Sequence, residues 1–170
     1  MITLFDLSGK NDLRFSPYCW RVKYLLNFRK ITYQTKPTCF TQRLNNAFFG
    51  DAKLPTITDD GIKISNSFNI AEHIENKYVD IDKRIINPVN KSSLCFINHW
   101  SDHFLNASIL ERVAYDIISV LDDRDIEYFI ESRSKRFGMG PKDFQACNMK
   151  KSENSFYKCC NFLDNILEKQ

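Results

Sequence analysis

Ser16, Pro17, Tyr18 and Cys19 make up the stretch of the chain best suited to chemistry. A serine followed by proline and then by apolar residues at helical spacing reads as a helix start. Ser16 is then the cap, and Pro17 occupies the first helical position, where no intrahelical hydrogen bond is lost. The free N–H groups and the positive dipole end of such a helix favour an anion, and a thiol held there has its pKa lowered. The hydroxyl of Ser16 adds one more donor at the same place. The plainer reading, a Ser-Pro pair that only caps a helix, stands beside this one, because these residues alone do not separate them. A second polar pair, Asn66-Ser67, also precedes a helical apolar pattern formed by Phe68, Ile70, Ala71 and Ile74. A small peptide with a carboxylate at one end and a thiol at the other would bridge two such caps.

The elements that must position these caps follow from local pattern. Residues 1–7 are a short apolar, β-branched run ended by the loop residues Ser8-Gly9-Lys10-Asn11-Asp12, which predicts a strand. The helix opened by Ser16 carries Tyr18, Val22, Leu25 and Leu26 on its apolar face, with Arg21, Lys23 and Asn27 between them. Residues 31–36 predict a second strand ending before Pro37, and strand-helix-strand predicts a parallel pair with a right-handed crossover. Residues 38–53, with Phe48-Phe49 and Gly50, read as loop and short helix. Residues 54–64 predict a hairpin about Asp60-Gly61, with Pro55 at a strand start where a cis peptide would turn neighbouring backbone groups outward. The helix after Asn66-Ser67 runs to about Tyr78. The first eighty residues thus order as β-α-β-(α)-β-β-α.

Beyond Tyr78 the strand-period runs cease, and the polar stretch up to Pro88 reads as a linker. Leu94, Ile97, Phe104, Leu105, Leu110, Val113, Ile117, Val120 and Leu121 recur at near-helical spacing, with a break expected near Asn106. A second helix is predicted from about Arg124 to Arg136, stopped by Gly138, and a last one over about 142–168 with an interruption near Ser152. Helix packed on helix is the expected architecture. The 170 residues are 43% hydrophobic, enough for a real core. A net charge of +3, with 14 Phe spread along the chain and no interleaved basic patch, excludes a nucleic-acid partner. No basic start followed by an apolar core marks a leader, and no apolar run reaches the length of a membrane span, so no membrane partner and a cytoplasmic location are expected. The six cysteines lack metal-ligand spacing and are expected to be reduced core thiols.

Three segments carry a resemblance: Ser16-Pro17-Tyr18-Cys19-Trp20-Arg21-Val22-Lys23-Tyr24, Leu54-Pro55-Thr56-Ile57-Thr58-Asp59-Asp60-Gly61, and Asn66-Ser67-Phe68-Asn69-Ile70-Ala71-Glu72-His73-Ile74. In this order and separation they resemble the thioredoxin-like half of a glutathione transferase, most closely the serine-type, etherase-like branch known from fungi and bacteria. Tyr128-Phe129 and Ser132-Arg133-Ser134-Lys135-Arg136-Phe137-Gly138 extend the likeness into the second half. The resemblance implies an α/β plus all-α fold: a thioredoxin-like glutathione-binding domain over 1–80, a linker over 81–90, and an all-helical domain over 91–170 that is truncated relative to the family. It implies glutathione as co-substrate, no metal, and a small hydrophobic electrophile such as an aryl ether as the second substrate, in a detoxifying reaction. Ser16 would donate a hydrogen bond to the glutathione thiolate. Leu54, before Pro55, would pair through its backbone with the cysteinyl part, and Asn66 and Ser67 would hold the γ-glutamyl end, Ser67 taking its carboxylate.

The chain departs from the family pattern in two places. Asn66 stands where an acidic residue usually meets the glutathione amino group, so charge assistance, which roughly doubles such a bond, is lost and weaker glutathione binding is expected. The helical part stops before the family's buried central helix. Open apolar faces follow from that, and a homodimer is one expected way to cover them. Both departures keep an alternative in view: a catalytically weak or inactive binding or regulatory module on the same fold. Ser16-Pro17-Tyr18-Cys19 also resembles a glutaredoxin motif with its first cysteine replaced, but the thiol with the lowered pKa is the one at the helix start, and Cys19 is the inner residue. His99 and His103 have metal-binding spacing without an evident third ligand, and Arg133, Lys135 and Arg136 suit a solvated helix end.

Overall fold

In a computed structural model, residues 1–168 are described, and they divide into two units. The first comprises Met1–Lys91 together with Val120–Asp125, and the second comprises Ser92–Ser119 together with the residues from Ile126 onward.

The first unit is built on a four-stranded mixed sheet of β1 (Ile2–Leu7), β2 (Tyr33–Thr38), β3 (Thr56–Asp59) and β4 (Ile62–Ser65), in the order β2-β1-β3-β4. β1 and β2 are parallel, with Ile2 opposite Tyr33 and Leu7 opposite Thr38. The helix α1 (Pro17–Phe28) makes the crossover between them, as β-α-β order requires. β3 pairs antiparallel with β1 and with β4. The hairpin turn is Asp60-Gly61, with positive φ at both residues (48° and 82°), which is why glycine sits there. Alternate residues of β1 face opposite sides. Ile2 and Leu4 join Val22 and Leu26 of α1, Ile57 of β3, and Ile70 and Ile74 of α3 (Ser67–Tyr78) in one buried cluster. Phe5 packs instead against Phe48 and Phe49, at ring-centroid distances of 5.0 and 5.2 Å. This is the thioredoxin-like arrangement expected.

Two local expectations are corrected. The buried stripe of α1 is Cys19, Val22, Lys23 and Leu26, while Tyr18 is exposed, because a buried carboxylate on β1 draws Lys23 inward. β2 extends through Pro37 to Thr38, which is tolerable because β2 is an edge strand and one side of its backbone has no ladder to complete.

The short α2 (Phe40–Leu44) is held by a distant residue: both carboxylate oxygens of Asp125 accept backbone hydrogen bonds from its start, Phe40 N at 2.7 Å and Thr41 N at 2.8 Å. Gly9 marks another close approach of the same segment, since a Cβ there would overlap the Val120 carbonyl oxygen. Residues 120–125 therefore belong with the sheet.

The second unit is helical. α4 (Lys91–Trp100) continues through a π-helical turn (Ser101–Leu105) into α5 (Asn106–Val113), with the Asn106 N–H bonded to the Ser101 carbonyl. The expected break near Asn106 is thus a widened turn just before it. The helix ends at Val113 rather than near Leu121, and buried Gln145 accepts the Tyr115 N–H (2.7 Å) and donates to Asp116 (3.0 Å) where the chain turns away. α6 (Ile126–Phe137) stops at Gly138, whose φ is 74°. α7 (Pro141–Leu167) runs without interruption, and the buried Ser152 bonds back to the Met149 carbonyl.

Candidate functional site

Ser16 caps α1 with Pro17 at its first position, and Ser16 Oγ accepts the Cys19 N–H at 3.4 Å. That bond is long, and it uses only an acceptor lone pair. The same hydroxyl is also a hydrogen-bond partner of the Cys19 thiol, so a ligand at this cap would share it. Ser16 is 6% exposed, so an anion beside it would be little screened by water. The Leu54-Pro55 peptide is cis and lies immediately before β3. Leu54 is half-buried and Pro55 buried.

Asn66 caps α3 in a positive-φ conformation (φ 75°, ψ 126°), and its Oδ1 accepts from Phe68 N at 2.9 Å and from Asn69 N at 3.3 Å. An amide oxygen has two lone pairs, and both are engaged. Asn66 can therefore offer a ligand its amide donors, but no acceptor without giving up a cap bond. Ser67 is the first residue of α3 and is buried. All five sequence-predicted residues lie in the sheet unit, at its two polar helix starts and at the turn into β3.

Buried charge supports these elements. Asp6, fully enclosed on β1, takes Arg14 Nη1 at 2.8 Å and Lys23 Nζ at 2.6 Å on the same oxygen. Asp59 at the end of β3 is bound by His73, Lys77 and Tyr78 of α3, each at 2.7 Å. Burial alone would raise the Asp59 pKa, but these three partners outweigh it and draw it down to about 2. Glu75 receives a bidentate bond from Arg29 (2.8 Å twice) and the Ile85 N–H at 2.7 Å. Sequence reasoning missed Asp6. Its signal was an acidic residue in phase with Ile2 and Leu4, on the inward side of a strand.

Cys19 is wholly buried and accepts the Leu7 N–H at 3.5 Å, and burial pushes its thiol up to about 11. It is a neutral thiol near pH 7, opposite in character to a redox-active one. All six cysteines are free, but Cys95 and Cys160 are half-buried and Cys147 is exposed, so not all are core thiols as expected. The rings of His99 and His103 stack at 5.7 Å, and no group of three or more metal-binding side chains occurs among the described residues. No described helix is long and apolar enough to cross a membrane.

Residues 12–81 match the family model for the glutathione S-transferase N-terminal domain. Similar solved structures include a glutathione S-transferase of Ceriporiopsis subvermispora in complex with glutathione (20% identity, TM-score 0.82, covering 95% of this chain and 71% of that one). Another is a glutathione transferase from Phanerochaete chrysosporium (17%, 0.84, 99% and 72%). The beta-etherase LigF of Sphingobium sp. strain SYK-6 is also similar (13%, 0.65, 99% and 74%). The fold is thus that of the glutathione transferase superfamily. Residues 12–81, the part that matches the N-terminal-domain model, are followed by a helical unit, as in those structures.

Proposed function

We propose that this chain binds glutathione in its sheet unit and transfers it to a small hydrophobic electrophile. The observation that carries the reading is the pair of polar helix starts in one thioredoxin-like unit, Ser16 before α1 and Asn66-Ser67 before α3, with Leu54 and Pro55 at the turn into β3. Ser67 and the free N–H groups of α3 suit the γ-glutamyl carboxylate, and the Leu54 backbone suits the cysteinyl peptide. Ser16 donates to the thiolate and, with the start of α1, stabilises it after its proton has left to solvent. Ser16 is not the nucleophile, since no base among the described residues bonds its hydroxyl. The thiolate then attacks the electrophilic carbon. A C–S bond forms, and the leaving group, an aryloxide where the substrate is an aryl ether, departs with the electron pair of the broken bond. The etherase-like branch, a homodimer and a cytoplasmic setting belong to the same proposal.

A second reading, a binding module with little turnover, is favoured by one observation: both lone pairs of Asn66 Oδ1 are already engaged, leaving the glutathione ammonium without an acceptor there. Turnover of aryl halides and aryl ethers with glutathione, compared between the native chain and Ser16→Ala, separates the two. The transferase reading expects the variant to fold and to lose at least about tenfold in kcat/KM, in the range for one lost hydrogen-bond donor to a charged group. Equal slow rates in both proteins favour the binding module.

A further inference from the structure

Asp6 is harder to explain by stability than any other buried group in the sheet unit. It lies on the side of β1 that carries Ile2 and Leu4, is fully enclosed, and has two cations on one oxygen while Oδ1 has no hydrogen-bond partner among the described residues. A buried carboxylate held by cations is seldom more stable than apolar residues of the same volume, and an unmet lone pair adds to its cost. What the cluster does accomplish is geometric. The chain leaves β1 at Leu7, loops outward and returns to Ser16. Arg14, two residues before Ser16, is gripped at both ends: its guanidinium by Asp6 from β1, and its carbonyl by Trp20 Nε1 of α1 at 2.7 Å. Lys23, the second cation on Asp6, lies 4.1 Å above the Trp20 ring and closes the cluster. From Arg14 a single residue, Phe15, leads to the hydroxyl that caps α1.

We propose that Asp6 is a positioning residue, which through Arg14 sets the loop that presents Ser16 to the thiol of the bound peptide. The proposal rests on the transferase reading of Ser16. It explains why a charge is kept where an apolar side chain would pack, and why its two cations come one from each side of Ser16.

The test is the pKa of the bound glutathione thiolate, followed by its ultraviolet band at saturating glutathione in the native chain, Arg14→Met and Arg14→Lys. Circular dichroism checks the fold of each. Arg14→Met keeps the Asp6–Lys23 pair, so it spares the core that Asp6→Asn would disturb. The expected result is a folded Arg14→Met protein whose bound thiolate titrates about one unit higher than in the native chain, with Arg14→Lys recovering part of the shift. A purely structural role lowers the melting temperature and leaves that pKa in place. A folded Arg14→Met protein with the native thiolate pKa overturns the proposal. If the native chain itself shows no lowered thiolate pKa, the transferase reading fails first, and the role of Asp6 falls with it.

Discussion

In the sheet unit Ile2, Leu4, Ile57, Ile70 and Ile74 are each 1% exposed or less, and four carboxylates, Asp6, Asp59, Glu75 and Asp125, are fully enclosed among partners. The helical unit encloses Phe129, Ala114 and Cys159, but leaves Phe96, Ile97, Phe104, Tyr157, Phe162 and Leu167 at least half exposed. The difference separates two ways of holding a fold. One region combines an apolar cluster with buried ion pairs that pin particular helix starts and strand ends. The other relies on helix pairing, with much apolar surface still in water. The unit with the enclosed core is the one that carries the candidate site, so site geometry rests on packing the sheet unit supplies itself.

Hydrogen exchange tests that contrast most strongly. Amides of β1 and β3 are expected to exchange at least about 100-fold more slowly than those of α4 and the middle of α7, because local opening of the helical unit exposes little that is not already exposed. Equal protection would break the comparison. Core truncation comes next: Ile57→Ala is expected to cost about 3 kcal/mol in urea unfolding, whereas Phe104→Ala, more than half exposed, costs under about 1 kcal/mol.

The pH dependence is smaller and confined to the sheet unit. The folded pKa of Asp59, about 2, lies below its unfolded value of about 3.9, so the unfolded state binds the proton more tightly. Its contribution, about 2 kcal/mol by linkage, is complete above pH 4 and lost as pH falls from about 4 to about 2. Asp59→Asn should flatten that limb of an acid titration, and an unchanged limb would remove the clamp from the account. The gentlest contrast is between thiols. Under native conditions iodoacetamide should modify exposed Cys147 first and Cys19 last, since burial keeps Cys19 protonated. Peptide mapping over time reads the order.

Much of the sheet unit was legible because its signals are local. Ser16-Pro17 before an apolar stripe, Asp60-Gly61 between β-branched runs and Asn66 before Ile70 and Ile74 each specify an element within a few residues. The misreadings share a cause in long-range structure. Lys23 reads as surface until Asp6 is placed beneath it, and Pro37 reads as a strand end until β2 is known to be an edge. No local pattern could tell that Asp125 returns to cap α2, eighty-five residues away from Phe40. In the helical unit, spacing marked apolar residues well but not continuity: a π-helical turn replaced a break at 101–105, and Ser152 was absorbed into α7 by a bond to its own backbone. The five candidate residues come from the sequence reading alone, whereas the engagement of Asn66 Oδ1 needed the cap geometry of α3.

Glutathione binding by calorimetry, with the thiolate band followed against pH in the native chain and in Ser16→Ala, tests the central claim most directly. The expected result is binding weakened by the engaged Asn66, a bound thiolate pKa below that of free glutathione, and loss of that depression in Ser16→Ala. No binding at millimolar glutathione, or a bound thiol that titrates as it does in free solution, would contradict it.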